Sequence, residues 1–139
     1  MQVTLRWAGE GLHLAAQTAS GHQLFYDSPI EVGGTNKAAR PMEGLLSAMS
    51  ACFAADVISI LQKKRKTLRS FTLQAKGTRR EEHPRVFTSV QITLRVESPD
   101  ATPADLERSI ELSRTKYCSA MAMFEAAGCQ IQIDYTLTP

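Results

Sequence analysis

The sequence predicts an α+β fold in which long central helices pack against antiparallel sheets. The 139 residues suit one core, so residues 1–139 are predicted to form a single domain. Short segments near both ends and in the middle of the chain alternate apolar and polar residues, as half-buried strands do. Two helical patterns, at residues 41–61 and 102–128, separate these segments. Strands and helices in this order favour an α+β arrangement.

Three strands are predicted in the first quarter of the chain. In the first of them, Val3, Leu5 and Trp7 alternate with polar residues. Turns that contain glycine separate the strands, which are predicted at residues 3–7, 12–16 and 23–26. A loop of residues 28–40, rich in Pro, Gly and Thr, follows, and its length favours a functional or subunit-contact role.

The first helix is predicted to begin at Pro41, a residue suited to the first helical turn. Glu43 is well placed near the positive end of this helix. Apolar residues surround most of its circumference as far as Leu61, which predicts a helix that is buried on several sides. Polar residues interrupt the segment, and on that ground no membrane span is expected.

The second half predicts two further strands, a helical region and a last strand. The strands are predicted at residues 71–75, 86–96 and 131–137. Thr102 and Asp105 form a capping-box pattern with a proline between them, which begins a helix. Its inner face is predicted to carry Leu106, Ile110, Ser113 and Tyr117.

Composition excludes several classes of function. A net charge of +2 is too small to favour nucleic acid or an anionic membrane as a partner. No glycine-rich phosphate loop occurs, so nucleotide binding is not expected, and the three histidines are isolated, so they are not expected to act as ligands or bases. The three cysteines contain no C-x-x-C pair, so a zinc site would need a further ligand from those histidines. The first residues do not form a signal sequence, which makes the cytoplasm the expected location.

The residues around the cysteines leave their roles open. Cys52 lies among small and apolar residues of the first helix, where a cysteine is usually a packing residue. Cys118 lies either at the start of a separate terminal helix, where N–H groups and nearby Lys116 favour a thiolate, or in the middle of an unbroken helix. Cys129 follows Gly128 at a strand entrance and needs no functional explanation.

Two motifs resemble the OsmC/Ohr-like peroxide-handling proteins. The first is the segment P-M-E-G-L-L-S-A-M-S-A-C-F at residues 41–53, a helix start that leads through small residues to the first cysteine. The second is K-Y-C-S at residues 116–119, at the place of the family's second cysteine. The length and the order of elements also fit, so the resemblance covers nearly the whole chain.

The resemblance implies an intertwined homodimer with active sites at the subunit interface. Cys52 is then the nucleophile that attacks an organic hydroperoxide, and Cys118 resolves the resulting sulfenic acid as a disulfide. An external thiol or dithiol restores the reduced enzyme, and neither metal nor other cofactor is required. Apolar side chains are predicted to line a pocket beside the thiols; they are Leu45, Met49, Phe53, Met121 and Phe124.

The chain also departs from the family pattern. Met42 stands where family peroxidases place a carboxylate, and the acid comes one residue later, at Glu43, on the opposite helix face from Cys52. Arg40 is the candidate for the family's thiolate-stabilising arginine. Asp56, one turn after Cys52 on the same helix face, is expected to oppose ionisation of the Cys52 thiol. These departures keep a second hypothesis open, a non-catalytic dimeric OsmC-like binding or stress protein with packing cysteines.

Overall fold

The computed structural model describes every residue from Met1 to Pro139. The chain divides into two compact units, Met1–Leu45 and Leu46–Pro139. It contains three α-helices and two three-stranded sheets, and the predicted α+β class is confirmed. The single domain over residues 1–139 stays a prediction.

The first unit is built on an antiparallel sheet with the strand order β1-β2-β3. The strands are β1 (Val3–Trp7), β2 (Leu14–Thr18) and β3 (Gln23–Tyr26). All three predicted strands are confirmed, but β2 begins two residues later than expected. The turn before it is longer, because the Ala8 N–H donates to the carbonyl of His13 at 2.9 Å.

Asp27 organises the loop that follows β3. Its buried carboxylate accepts hydrogen bonds from the Thr35 hydroxyl at 2.6 Å and from the backbone N–H groups of Ser28, Thr35 and Lys37. The Thr35 hydroxyl and these N–H groups hold the pKa of Asp27 well below its usual range, although burial acts in the opposite direction. Gly34 closes the loop, since a Cβ there would lie 1.9 Å from the carbonyl oxygen of Ser28.

The longest helix, α1 (Pro41–Lys63), begins where the sequence predicts. Glu43 caps it, because the Arg40 backbone N–H donates to Glu43 Oε2 at 2.9 Å. The polar interruptions do not make α1 too polar for a membrane, contrary to the expectation, because its apolar residues outweigh them. By length and composition alone it is long and apolar enough to cross a membrane, a test that core helices of soluble proteins also pass.

The sheet of the second unit is mixed. Its strands, β4 (Ser70–Arg79), β5 (Phe87–Glu97) and β6 (Gln130–Thr138), lie in the order β4-β5-β6. β4 and β5 are antiparallel as expected, whereas β5 and β6 are parallel. The helical segment between β5 and β6 explains this difference, because a crossover of that length returns the chain to the same end of the sheet.

That crossover consists of α2 (Pro103–Leu112), a π-helical turn (Ser113–Tyr117) and α3 (Ser119–Ala126). The predicted capping box is confirmed at the start of α2, where Thr102 and Asp105 bond each other's backbone N–H. Ser113 is buried as predicted, but Tyr117 is exposed. The π-helical turn changes the helical phase, which turns Tyr117 away from the inner face.

The core of the second unit lies along one stripe of α1. Four residues of this helix have no solvent exposure and repeat every four positions: Met49, Phe53, Val57 and Leu61. Alternate residues of β5 belong to the same core; they are Val90, Ile92, Leu94 and Val96. One face of α1 is therefore fixed by packing, which also fixes the direction of the adjacent faces.

We expect Phe53→Ala to lower the free energy of unfolding by about 3–5 kcal/mol, because it removes a fully buried ring from the core. Chemical denaturation at a fixed protein concentration measures this change. Ser47→Ala, at an exposed position of the same helix, should change the value by no more than about 0.5 kcal/mol. Equal effects of the two substitutions would show that the stripe does not form the core.

Candidate active site

Two thiols and one carboxylate lie together in the second unit. The Sγ atoms of Cys52 and Cys118 and a carboxylate oxygen of Asp56 all lie within 4.8 Å of one another. Cys52 and Asp56 are half-buried, whereas Cys118 is only 2% exposed. The structure thus brings together the two cysteines that the sequence analysis selected, although 66 positions separate them in the chain.

Helix α1 supplies two of the three groups. Cys52 and Asp56 are four residues apart, so their side chains leave the helix on the same side. Each directly precedes a member of the buried stripe, Phe53 or Val57. Packing of that stripe therefore sets the direction in which the thiol and the carboxylate point.

The π-helical turn supplies the third group. The Cys118 N–H donates to the carbonyl of Ser113 at 2.8 Å, a bond between residues five positions apart. Cys118 itself is extended, with φ −75° and ψ 92°, and so ends the turn. It forms the N-cap of α3, where its Sγ accepts a hydrogen bond from the Met121 N–H at 3.4 Å. Of the two interpretations of Cys118, the start of a separate helix is the one that the structure has.

Lys116 contacts the ring of its neighbour Tyr117. Its Nζ lies 5.3 Å from the ring centre of Tyr117, in a cation–π contact. The hydrogen bond that Cys118 Sγ receives at the start of α3 comes from the Met121 N–H.

Ser113 is a residue of this cluster that sequence reasoning missed. Its hydroxyl donates to Asp56 Oδ2 at 2.9 Å and so fixes the carboxylate. The sequence placed Ser113 on the inner face of α2, but nothing in the pattern pairs it with Asp56, because the two residues belong to different helical segments. The available signal was a serine predicted on the inner face of α2 together with an acid on α1, since a buried carboxylate needs a hydrogen-bond donor.

The environment disfavours a charged Cys118. Burial raises the pKa of its thiol to about 11, and the neighbouring Cys52 and Asp56 act in the same direction. The Met121 N–H lowers the pKa but does not offset these effects. The influence of Asp56 on Cys118 was not part of the sequence prediction, which concerned Cys52 alone.

The remaining predicted residues have other surroundings. Arg40 and Glu43 lie in the first unit, where the Arg40 N–H bonds the Glu43 carboxylate at the start of α1. This bond gives Glu43 a structural role at the helix terminus. The part of Arg40 and Glu43 in chemistry stays a prediction.

The predicted apolar pocket beside the thiols is not formed as expected. Met49, Phe53 and Met121 have no exposure, because they fill the core of the second unit. Phe124 is also buried, and its ring stacks on that of Phe87 with 5.5 Å between the centroids. Leu45, in contrast, is exposed in the first unit.

Residues 34–134 match the family model described as OsmC-like protein. The chain belongs to the OsmC-like family. It is 39% identical over 127 residues to Protein YhfA of Escherichia coli K12, which covers 91% of both chains. The recognised resemblance to OsmC/Ohr-like proteins is thereby confirmed.

Solved structures agree with this membership of the OsmC-like family. A hypothetical protein from Aquifex aeolicus superposes with a TM-score of 0.84 at 28% identity, covering 99% of this chain and 95% of that one. An organic hydroperoxide resistance protein OsmC from Legionella pneumophila shares the fold at a TM-score of 0.62 and 13% identity, covering 99% and 96% of the two chains.

The raised pKa of Cys118 predicts slow alkylation at neutral pH. Because the thiolate is the reactive form, only a small fraction of Cys118 is reactive at pH 7, and the rate should rise with pH until about pH 11. Asp56→Asn removes a negative neighbour and should increase the rate at neutral pH. Iodoacetamide labelling followed by mass spectrometry of the Cys118 peptide measures both rates.

The same peptide in urea-unfolded protein is the control, since an unfolded thiol titrates near pH ~8.5. A labelling rate in folded protein that stops rising at this pH would contradict the prediction.

Proposed function

We propose that this OsmC-like protein is a thiol-dependent peroxidase that reduces organic hydroperoxides. Cys52 is the nucleophile, and Cys118 is the resolving thiol. The observation that carries the proposal is the approach of their Sγ atoms to within 4.8 Å, with Cys52 the more accessible of the two. A modest movement of the side chains suffices to bring two such sulfur atoms to bonding distance.

The surroundings of the two cysteines support this division of roles. Cys52 is half-buried and reachable by a small substrate, while Cys118 is enclosed and kept protonated at neutral pH. A buried neutral thiol is a poor first nucleophile. Cys52 raises the pKa of Cys118 through a side-chain hydrogen bond and through its charge, and conversion of Cys52 to an uncharged sulfenic acid removes the contribution of the charge.

The proposed reduction of the hydroperoxide has three steps. The Cys52 thiolate attacks the O–O bond of the hydroperoxide, which gives a Cys52 sulfenic acid and, after protonation, an alcohol. The Cys118 thiol then displaces the sulfenic hydroxyl, which leaves as water while the disulfide forms. An external dithiol reduces that disulfide by thiol–disulfide exchange and is itself oxidised.

The choice of organic hydroperoxides follows the family relationship. The Legionella pneumophila protein with this fold bears the name organic hydroperoxide resistance protein. We carry that substrate class over to this chain as part of the proposal, with the two juxtaposed thiols as the local support. Arg40 and Glu43 remain proposed assistants of Cys52.

One specific observation favours the alternative, a dimeric OsmC-like binding or stress protein without catalysis. Met42 occupies the position of the family carboxylate, and it is half-buried. In that alternative Cys52 and Cys118 are packing residues, and no disulfide forms between them under mild peroxide. The two functions thus differ in a product that mass spectrometry detects.

We also propose that the protein is a homodimer. In the single chain, only 22% of the most apolar 18-residue stretch of α1 is buried. The alternating residues of β1 are exposed as well, with Trp7 at 64%, although their pattern is that of a half-buried strand. A second copy that covers these surfaces gives an interface of the large apolar kind found in obligate dimers.

Purified protein with dithiothreitol is expected to consume cumene hydroperoxide, and Cys52→Ser should reduce the rate to that of buffer and reductant alone. The reason is that the substitution removes the only proposed nucleophile. Peptide mapping after one equivalent of peroxide should show a Cys52–Cys118 disulfide in the wild type.

Cys129→Ala is the matched control, because Cys129 is buried and lies outside the cluster of Cys52, Asp56 and Cys118. It should retain the wild-type rate. Equal rates for wild type and Cys52→Ser would refute the assignment, and absence of the disulfide together with absence of turnover would favour the non-catalytic alternative.

Sedimentation at micromolar concentration should give the mass of a dimer, near twice the 15.3 kDa of one chain. Because the exposed apolar residues of β1 and α1 need cover, dissociation should accompany loss of folded structure. A stable monomer that retains peroxidase activity would contradict both the dimer and an active site shared between subunits.

A further inference from the structure

We propose that the reduced cluster of Cys52, Asp56 and Cys118 binds Zn²⁺, and that oxidation of the two thiols by a hydroperoxide releases the ion. The ion is then not a cofactor of the peroxide reaction but occupies the thiols when no peroxide is present. The binding of zinc is argued from the geometry and the charge of the cluster, while the release step rests on the proposed peroxidase function.

The separations in the cluster are close to those that zinc requires. Zinc binds sulfur at about 2.3 Å and carboxylate oxygen at about 2.0–2.2 Å, so tetrahedral ligand atoms lie about 3.5–3.8 Å apart. The two Sγ atoms and the Asp56 oxygen already lie within 4.8 Å of one another. Small changes in side-chain torsion therefore bring all three to one ion, and the fourth position remains for water.

The surroundings orient the ligands. Ser113 donates its hydroxyl to Asp56 Oδ2, which holds the carboxylate and leaves Oδ1 free for the metal. The Met121 N–H donates to Cys118 Sγ, an interaction that suits a metal-bound thiolate. Both bonds come from the segment that begins with the π-helical turn.

The negative charge of the cluster also favours binding of a divalent cation. With both thiols deprotonated, the cluster carries three negative groups, and Asp56 takes part in none of the six ion pairs of the chain. A divalent cation offsets most of this charge. Thiolate ligands select a borderline-soft ion such as Zn²⁺ over Mg²⁺ or Ca²⁺, which prefer oxygen ligands. The partial exposure of Cys52 and Asp56 gives the ion a way in.

Oxidation removes the two sulfur ligands at once. One hydroperoxide and two protons react with the zinc-bound dithiolate to give the Cys52–Cys118 disulfide, one alcohol, one water and free Zn²⁺. The two electrons come from the sulfur atoms and reduce the O–O bond, and zinc stays divalent throughout. A lone carboxylate that remains is a weak zinc ligand, so release follows.

The test is a competition between reduced full-length protein and a chromogenic zinc chelator, with Zn²⁺ alone as the probe. We expect one equivalent of zinc per chain. Ser113→Ala should weaken zinc binding by about 10–100-fold, because it removes the hydrogen bond that orients the Asp56 carboxylate. Cys52→Ser, Cys118→Ser and Asp56→Asn should each weaken it at least as much, whereas Cys129→Ala should have no effect. Circular dichroism confirms that each variant is folded.

Cobalt substitution provides a second readout. Co²⁺ bound at the cluster should show a thiolate-to-metal charge-transfer band that disappears in the folded Cys52→Ser and Cys118→Ser variants. Zinc affinity or a cobalt band that survives both substitutions would overturn the proposal. Binding of zinc that Mg²⁺ displaces at equal concentration would overturn it as well.

Oxidation by diamide distinguishes a failure of the zinc site from a failure of the peroxidase function. Diamide oxidises the thiols without any peroxidase step and should release the ion from the wild type. Release by diamide but not by cumene hydroperoxide would leave the zinc site established and refute the peroxidase. Peroxide turnover in a protein that binds no zinc would refute the metal site and leave the peroxidase intact.

Discussion

The interruption of the second helical region at Cys118 is the feature on which the candidate site depends. An unbroken helix from α2 into α3 would place Ser113 and Cys118 on different faces, since five residues correspond to about 500° of rotation. The π-helical turn instead joins these two residues by a hydrogen bond between the Cys118 N–H and the Ser113 carbonyl. Ser113 then reaches Asp56, and Cys118 lies beside both Cys52 and Asp56. π-helical turns are often found at functional sites because they change which side chains share a face.

Helix α1 combines this local geometry with the stability of the core. The buried stripe leaves the helix little freedom to rotate, because every fourth residue from Met49 to Leu61 is enclosed. Cys52 and Asp56 lie on the face next to the buried stripe, so the packing of the stripe also fixes the positions of their Cα atoms. A reactive thiol on a packed helix is held more accurately than one on a loop. Because only this stripe of α1 is packed in the core, the single chain leaves apolar surface on the rest of the helix exposed.

Much of the fold was predictable from sequence, because periodicity and capping are local. The order of strands and helices follows from alternation, and the start of α2 from Thr102 and Asp105. The parallel pairing of β6 and the exposure of Tyr117 were not predictable in this way. Both depend on the helical crossover, whose π-helical turn leaves no clear signal in a single sequence.

At the site, the family resemblance selected Cys52 and Cys118, but residue spacing alone left their roles open. Ser113 was missed because its partner, Asp56, lies 57 positions away. The separation of Cys52 and Asp56 from Cys118 along the chain likewise hides the electrostatic relation among these three groups. Burial and the nearby Cys52 and Asp56 keep Cys118 neutral, which in the proposed function leaves the first attack on the hydroperoxide to the more exposed Cys52. The proposed zinc site and the proposed disulfide both require the close approach of these two sulfur atoms, so both proposals rest on one feature of the geometry.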